Sequence, residues 1–455
     1  MHMSADSQRI TAVILAAGKG TRMNSGLPKV LHPVAGKSLI KHCTNTMSQV
    51  ITEKPVVVVG HQAEAVKANV GDDAIYTLQA EQLGTGHAVM MAEEAVAGKA
   101  DLVLVTYGDM PLLQAETLKK LVELQKGNDG PLSMLTMIAD DPRGFGRIIR
   151  NTEGHVTAIV EESQADEAQK LIKELNIGAY CFSSDWLWDA LKKIEVSPKG
   201  EYYLTDVVEI AVQDGLPVLA IPVKDTREAI GINTRIHLSE AEAFLRERIN
   251  QNWMLNGVTM IDPSSVYIDA EVEIGINTVI LPNTVLKGNT TIGENCKIGP
   301  GTYIEDSQVG NDCKIFYSVV EQAVMENHVD IGPYGHLRKG AHLADGVHMG
   351  NFGEVKNSYL DKGVKMGHFS YIGDGQIGEN VNIGAGTITC NYDGKNKNKT
   401  EIGANTFIGS DTMLVAPLKI GENAATGAGA VVTKDVPDGT TVVGVPAKEF
   451  KKDKK

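Results

Sequence analysis

The sequence predicts two fold classes in one chain: an α/β, Rossmann-like N-terminal domain with helices on both faces of a mixed sheet, then a C-terminal left-handed parallel β-helix. Three observations carry this reading. Glycine is uneven, with 19 of 47 in residues 1–250 and 28 in the shorter remainder. The first half alternates short, β-branched apolar runs with amphipathic segments. The second half repeats an apolar residue at every sixth position from Ile268 onward.

The runs TAVILAAG (11–18), PVVVVG (55–60), DLVLVTYGD (101–109) and LSMLTMIA (132–139) are almost wholly apolar, the pattern of strands buried on both faces. HAVMMAEEAV (87–96) and ETLKKLVELQ (116–125) have helical amphipathicity between them. Strand–helix alternation predicts a mostly parallel, doubly covered sheet. Residues 1–234 form this domain, and 235–256 (RIHLSEAEAFLRERINQNWMLN) read as a linking helix with charges on one face. From 257 to 455 the hexads take over: Ile268, Ile274, Ile280, Leu286, Ile292, Ile298 and Ile304, then Ile331, Leu337, Leu343, Met349 and Val355, then Ile402, Ile408, Leu414 and Ile420. Each hexad forms one side and a corner, and three hexads make a triangular coil of about 18 residues. The steps Ile304 to Val309 and Val355 to Leu360 are one residue short, absorbed at a tight corner. Residues 388–400 (ITCNYDGKNKNKT) break the rhythm and predict a loop budding from the coil; the tail KKDKK reads as disordered.

Composition excludes several classes. Asp plus Glu is 57 against 43 for Lys plus Arg, a net charge of −14, which argues against nucleic acid as a partner. Hydrophobic residues at 42% suffice for a core. No apolar run reaches the roughly 18 residues of a membrane span, and the N-terminus lacks a signal peptide's apolar stretch, so a cytoplasmic protein is expected. The five scattered cysteines form no CxxC, so neither a disulfide framework nor a zinc ribbon is indicated.

Four places carry chemistry. Gly18-Lys19-Gly20-Thr21-Arg22-Met23, with Pro28-Lys29 beyond, follows a strand. It is neither GxGxxG nor a Walker loop, and the residues alone fit either an anion-binding loop or a plain strand–helix turn. Asp109 ends a buried strand, where the residue on its own fits a turn more readily than a metal ligand. Arg338 and Lys356 are 18 residues apart, one coil, so both project from one wall about 4.8 Å apart. An anion held between them and two splayed, solvated cations both satisfy that spacing. His336, His342 and His348 recur every six residues, but six residues lead to the next side, so they cannot share one metal ion. His368, alone in GHFSYIGD, is either structural or a proton acceptor, a role that suits a neutral imidazole.

LAAGKGTRM with PK resembles the signature of sugar-1-phosphate nucleotidyltransferases. QAEQLGTGHA (79–88), YGDMPL (107–112), GFGR (144–147), Glu161, NIG (176–178) and GIN (231–233) match further segments of that family. With the β-helix attached, residues 10 to 447 resemble the bacterial bifunctional N-acetylglucosamine-1-phosphate uridyltransferases and glucosamine-1-phosphate N-acetyltransferases. The resemblance implies that Leu15, Ala16, Gly18, Lys29, Gln79, Gly84, Thr85, Tyr107, Asp109, Gly146, Glu161, Asn176 and Asn233 bind UTP and the nucleotide sugar. Arg22 and Lys29 would be catalytic, and Asp109 with Asn233 would hold Mg²⁺. For the β-helix it implies His368 as catalytic base, Arg338, Lys356, Tyr371, Asn382 and Lys397 on glucosamine 1-phosphate, and Ala385, Asn391, Tyr392, Ser410 and Ala428 on the co-substrate acetyl-coenzyme A. Lys397 would serve a neighbouring chain of a homotrimer whose acetyl-transfer sites lie at subunit interfaces.

The chain departs from that pattern at Lys339 after Arg338, Ile177 after Asn176, Ser163 where a lysine is frequent two positions after Glu161, and Gly367 before His368. The competing expectation is a nucleotidyltransferase of single activity whose β-helix only oligomerises or binds a regulator. The set Arg338, Lys356, His368 and Tyr371 speaks against it, because a scaffold has no use for them. A dead nucleotide domain is disfavoured by intact Arg22, Lys29 and Asp109.

Overall fold

The computed structural model describes residues 8–450. The basic tail, expected to be disordered, lies outside the described residues, as does the start of the N-terminus. The chain divides into two compact units, residues 1–245 and 246–455, the division falling within the helix Arg235–Leu255.

Besides a short hairpin of Pro33–Val34 and Lys37–Ser38, the strands of the first unit's main sheet are β1 (Ile10–Ala16), β2 (Val56–Val59), β3 (Ile75–Leu78), β4 (Leu102–Tyr107), β5 (Leu132–Ile138), β6 (Gly146–Arg150), β7 (Val156–Val160), β8 (Glu174–Ser183) and β9 (Val218–Pro222). The sheet runs β9-β5-β8-β4-β1-β2-β3, with β6 joined to β8 and β7 to β6. β1, β2, β3 and β4 are parallel, as the alternation predicts. β8 is antiparallel to both β4 and β5, which makes the sheet mixed. Val13, Leu15, Val56, Val58, Val103 and Val105 face one apolar layer, and Ala12, Ile14, Val57, Val59, Leu102 and Leu104 face the other. This two-sided burial is why these strands read as unbroken apolar runs. Segment 116–125 folds as a helix, Ala115–Lys126. Segment 87–96 is not one helix but two, Thr85–Met90 and Glu93–Val96, with Ala92 donating to the Val89 carbonyl in a tight turn between them.

The second unit is a prism of three sheets with twelve, ten and nine strands, parallel throughout except for the last pair of the first sheet, Thr441–Val443 with Lys448–Glu449. Successive hexads fall on successive faces. The inward stacks are Ile280, Ile298, Ile315, Ile331, Met349 and Met366 on the first face; Ile268, Leu286, Ile304, Val320, Leu337, Val355 and Ile372 on the second; and Ile274, Ile292, Val309, Met325, Leu343, Leu360 and Ile377 on the third. Each such side chain is at least nine-tenths buried and contributes roughly 1.5–3 kcal/mol. The short steps are real: Ile292 pairs with Val309 and Leu343 with Leu360 without loss of register. At the corner before the first face the chain turns through the left-handed region, at Asn277 (φ 62°), Asn295 (58°) and Asn380 (59°), for example; Asn tolerates it because its short amide bonds locally. The corner from first to second face also turns left-handed, but there it carries bulky rings: Tyr317, Tyr334 and Phe352, all exposed, with Tyr334 and Phe352 stacked at 5.1 Å. Of the linking helix only Ala241, Leu245 and Asn250 are buried.

Candidate functional sites

The carboxyl ends of β1 and β4 lie side by side, with Leu15 opposite Tyr107 and the Gly108 N–H donating to the Leu15 carbonyl at 2.9 Å. Open α/β sheets bind ligands at this end. Two clefts open there and share Tyr107 and Asp109. The larger, about 280 Å³, is lined by Leu15, Ala16, Gly18, Lys29, Gln79, Gly84, Thr85 and also Glu201 and Tyr203. The smaller, about 180 Å³, is lined by Gly146, Glu161, Asn176, Asn233, Phe145 and Gly178.

The loop after β1 turns at Gly20 (φ 61°) into a single tight turn, Thr21–Met23, and a second turn, Lys29–Leu31, follows Pro28. Lys29 Nζ donates to the Asp109 carboxylate and, at 3.0 Å, to Asn233 Oδ1; Arg22 Nη2 donates to the same oxygen at 3.0 Å. The Ile232 N–H, on the Asp109 carbonyl at 3.0 Å, ties the segments of Asp109 and Asn233 together. Two hard oxygens thus converge on one cationic position, filled by the Lys29 ammonium. Among the described residues no cluster of three or more His, Cys, Asp or Glu side chains forms a cage. One carboxylate and one amide oxygen would suit a hard divalent cation whose remaining positions are left to water or phosphate oxygens.

Gln79 is buried, and its amide donates to the Gly84 carbonyl at 3.0 Å and contacts His87 Nδ1 at 3.1 Å. Gly84 (φ 101°) lies directly under the Tyr202 backbone, where a Cβ would not fit. Tyr202 bonds on both sides of it, donating to the Leu83 carbonyl and accepting from the Gly86 N–H, each at 2.8 Å. In the smaller cleft Asn176 Oδ1 accepts from the Gly178 N–H at 3.1 Å and bonds the Tyr180 hydroxyl. Gly178 (φ 80°) faces the Tyr107 ring with no room for a Cβ. Burial raises the pKa of Glu161, opposed by a 3.0 Å bond from the Thr205 hydroxyl. Asp206 is pushed up to about 6, by burial first and then by the charge of Glu161.

In the second unit Leu337 pairs with Val355, and the Arg338 N–H donates to the Val355 carbonyl at 2.9 Å. Arg338 and Lys356 therefore stand on one wall, a single rung apart. The anion nearest to Arg338 is its own chain's Glu354, bonded at 2.8 Å. Lys397, expected to serve a neighbouring chain, lies beside Lys356 of its own chain, and that contact, with Arg338 behind it, holds Lys356 below the ordinary lysine pKa. Tyr371 follows Glu354 in register on this wall. Gly373 leaves room for the Tyr371 hydroxyl and the Asn391 amide, and Asn391 donates to Asp374 at 2.6 Å.

His368, Ala385, Ser410 and Ala428 each stand two positions after an inward residue of the first face: Met366, Ile383, Ile408 and Thr426. They form one column down the corner between first and second faces. Neighbouring rungs there are bonded through the Gly386 N–H to Phe369 carbonyl (2.7 Å), Asp411 to Ala385 (2.6 Å) and Gly429 to Ser410 (2.8 Å). His368 is exposed at the top of the column. Asn382 lies on the first face, in register with Lys365, so His368 sits on the corner between Asn382 and Tyr371. Tyr392 and Lys397 close the protruding loop as an isolated bridge, pinned by Asp393, which accepts from the N–H groups of Lys395 and Asn396. His336, His342 and His348 lie on three different faces, each paired with a carboxylate of the preceding coil: Glu321 at 3.0 Å, Glu326 at 2.8 Å and Asp330 at 2.6 Å.

Residues 12–176 match the MobA-like NTP transferase domain, and residues 271–306 and 399–434 match the bacterial transferase hexapeptide (six repeats). Over 434 residues the chain is 50% identical to the bifunctional protein GlmU of Heliobacterium modesticaldum, 49% to that of Lactococcus lactis subsp. lactis and 48% to that of Streptococcus agalactiae serotype V, covering 95% of each chain. The chain belongs to the GlmU family.

Set against that membership, three features escaped the sequence reading. Segment 197–205 brings Glu201 and Tyr203 to the larger cleft; its only signal was an unassigned GEYY stretch after Pro198-Lys199. Glu354 supplies an internal counter-charge to Arg338. Arg147, 1% exposed, is paired at 2.6 Å with the half-buried Glu162 and carries the backbone of Gly146 with it, so this GlmU-family chain braces its smaller cleft with an ion pair buried on the arginine side.

Proposed function

We propose that this chain makes UDP-N-acetylglucosamine in two separate sites: acetyl transfer from acetyl-coenzyme A to glucosamine 1-phosphate on the β-helix, then uridylyl transfer from UTP to the N-acetylated product in the α/β unit. The observation that carries the bifunctional reading over a scaffold-only β-helix is the corner column. It puts an imidazole and three small side chains down one exposed corner, beside the face whose far end carries Arg338 and Lys356, with Lys397 next to Lys356.

In the first reaction the sugar amine attacks the thioester carbonyl. The nitrogen–carbon bond forms, the carbon–sulfur bond breaks, and His368 accepts the amine proton as a neutral imidazole. Arg338, Lys356 and Lys397 hold the sugar phosphate, with Tyr371 and Asn382 on either side of the histidine orienting the ring. Ala385, Ser410 and Ala428 leave the edge narrow enough for an extended donor to lie along it, with Asn391 and Tyr392 at its flank.

In the second reaction an oxygen of the sugar phosphate attacks the α-phosphorus of UTP and the bond to pyrophosphate breaks. Lys29 and Arg22 stabilise charge spread between the α-phosphate and the leaving group. Asp109 and Asn233 would hold Mg²⁺, which when bound offsets the charge of the two polyanions. Gln79, Gly84 and Thr85 face the base, and Glu161, Asn176 and Gly146 the sugar. A homotrimer belongs to this reading: the exposed rings of Tyr317, Tyr334 and Phe352 continue the column's edge toward earlier rungs, an apolar strip suited to cover by a second copy.

A paired assay tests the proposal. His368→Ala should abolish thiol release from acetyl-coenzyme A with glucosamine 1-phosphate and spare pyrophosphate release from UTP and N-acetylglucosamine 1-phosphate. Asp109→Ala should do the reverse. Loss of both activities in either variant would refute two independent sites.

A further inference from the structure

The mouth of the smaller cleft is acidic. Glu161 lines it, and Glu201 and Asp206 stand within electrostatic reach of Glu161. A sugar phosphate must carry its own negative charge past these carboxylates. Among the described residues, the cation acting on Glu161 is Lys199, whose Nζ donates to Ser163 Oγ at 3.0 Å, two residues beyond Glu161. Its charge draws the Glu161 pKa down against the burial that raises it.

The segment that carries Lys199 is built to hold it there. The Ser197 N–H donates to the Glu201 carbonyl at 2.9 Å and the Gly200 N–H to the Ser197 carbonyl at 2.8 Å. Gly200 supplies the left-handed residue (φ 78°) that this turn requires. Beyond the turn, Tyr202 is fixed beneath Gly84 and Glu201 reaches the larger cleft. Ser163 is neutral, so its hydrogen bond places the ammonium without cancelling its charge. Lys199 forms no ion pair among the described residues, whereas Arg147 nearby is committed to Glu162. A flexible, exposed lysine contributes little to stability in such a contact, which leaves its charge free for a ligand.

We propose that Lys199 is a specificity-determining residue of the uridylyl-transfer site, offsetting Glu161 at the mouth of the smaller cleft and admitting the phosphate-bearing sugar. This rests on the assignment of that cleft to the sugar phosphate made above. Lys199→Ala should raise KM for N-acetylglucosamine 1-phosphate about three- to tenfold and leave kcat and KM for UTP within about twofold, since a rim charge acts on encounter more than on the chemical step. The difference should shrink in about 0.5 M KCl, where screening is strong. Adding Ser163→Lys to Lys199→Ala returns a cation to the same place from the other side and should restore KM. Lys193→Ala, which removes an equal charge paired with Asp214, serves as control and should change neither constant. An unaltered KM for the sugar phosphate, an equal rise for UTP, or no rescue by Ser163→Lys would each overturn the role of Lys199. Failure of the unsubstituted protein to release pyrophosphate would overturn the substrate assignment itself, a result distinct from any behaviour of the variants.

Discussion

Gly178→Ala tests how the α/β unit couples its two clefts. Gly178 adopts φ 80°, and its missing side chain is the space that the Tyr107 ring occupies. Alanine in the left-handed region costs roughly 1–2 kcal/mol. Forcing a methyl group against the ring adds about 1–3 kcal/mol, because Tyr107 packs against both apolar layers of the sheet and cannot retreat freely. The variant should therefore lose about 2–5 kcal/mol, read as a lower urea midpoint at unchanged slope. Tryptophan emission is a suitable probe, since Trp186 and Trp188 both lie in the helix Ser184–Leu191 of this unit. Tyr107 lines both clefts, so any shift of its ring disturbs nucleotide and sugar positions together, and pyrophosphate release should fall at least about tenfold. Acetyl transfer should hold within about twofold. A variant with wild-type midpoint and wild-type pyrophosphate release would refute the claim that Gly178 exists to seat Tyr107.

Two further outcomes follow from burial and charge. The folded unit holds a proton on Asp206 up to about pH 6, whereas the ordinary carboxyl value is 3.8. The folded state therefore binds the proton more tightly than the unfolded chain, and stability falls as pH rises between about 4 and 6. Asp206→Asn should remove that fall and, discounted for the group's half exposure, stabilise the unit by on the order of 1 kcal/mol at neutral pH; an unchanged pH profile of the urea midpoint would contradict it. In the prism, Leu337 is fully buried between Val320 and Val355, so Leu337→Ala should cost about 2–5 kcal/mol and lower the thermal transition of the β-helix, with acetyl transfer preserved below that transition. A shift under about 1 kcal/mol would mean that the neighbouring rungs collapse into the gap.

The two halves differed in how legible they were. In the prism each hexad has one inward residue, so counting from Leu337 to Val355 fixed the wall shared by Arg338 and Lys356 and separated the three histidines. The α/β unit has no such ruler. Strands buried on both faces announced themselves by composition, but β6 and β7 show mixed burial and were not read as strands. The antiparallel β8 follows from pairing partners far apart in sequence, which a local pattern does not encode. The break between Thr85–Met90 and Glu93–Val96 was hidden because MMAEEA is helix-forming throughout, and the turn at Ala92 is a tertiary outcome. The site followed the same division. The Lys29, Asp109 and Asn233 convergence joins three distant segments and was visible only through resemblance, whereas segment 197–205 offered only the unassigned GEYY stretch and emerged from the fold.

The corner column also works as a gauge of length. His368 and Ala428 are three rungs apart, about 14 Å at the strand spacing. Backbone geometry repeats from coil to coil, so inserting or deleting a whole coil of about 18 residues changes that distance by one increment of about 4.8 Å and leaves every other contact in step. In the proposed acetyl transfer, the reach of a donor lying along this edge is thus set by the count of turns and not by the shape of any cavity. On the proposed function, a change of donor length would call for a different number of coils, while a change of acceptor would call only for new side chains on the rungs from Arg338 to Asn382.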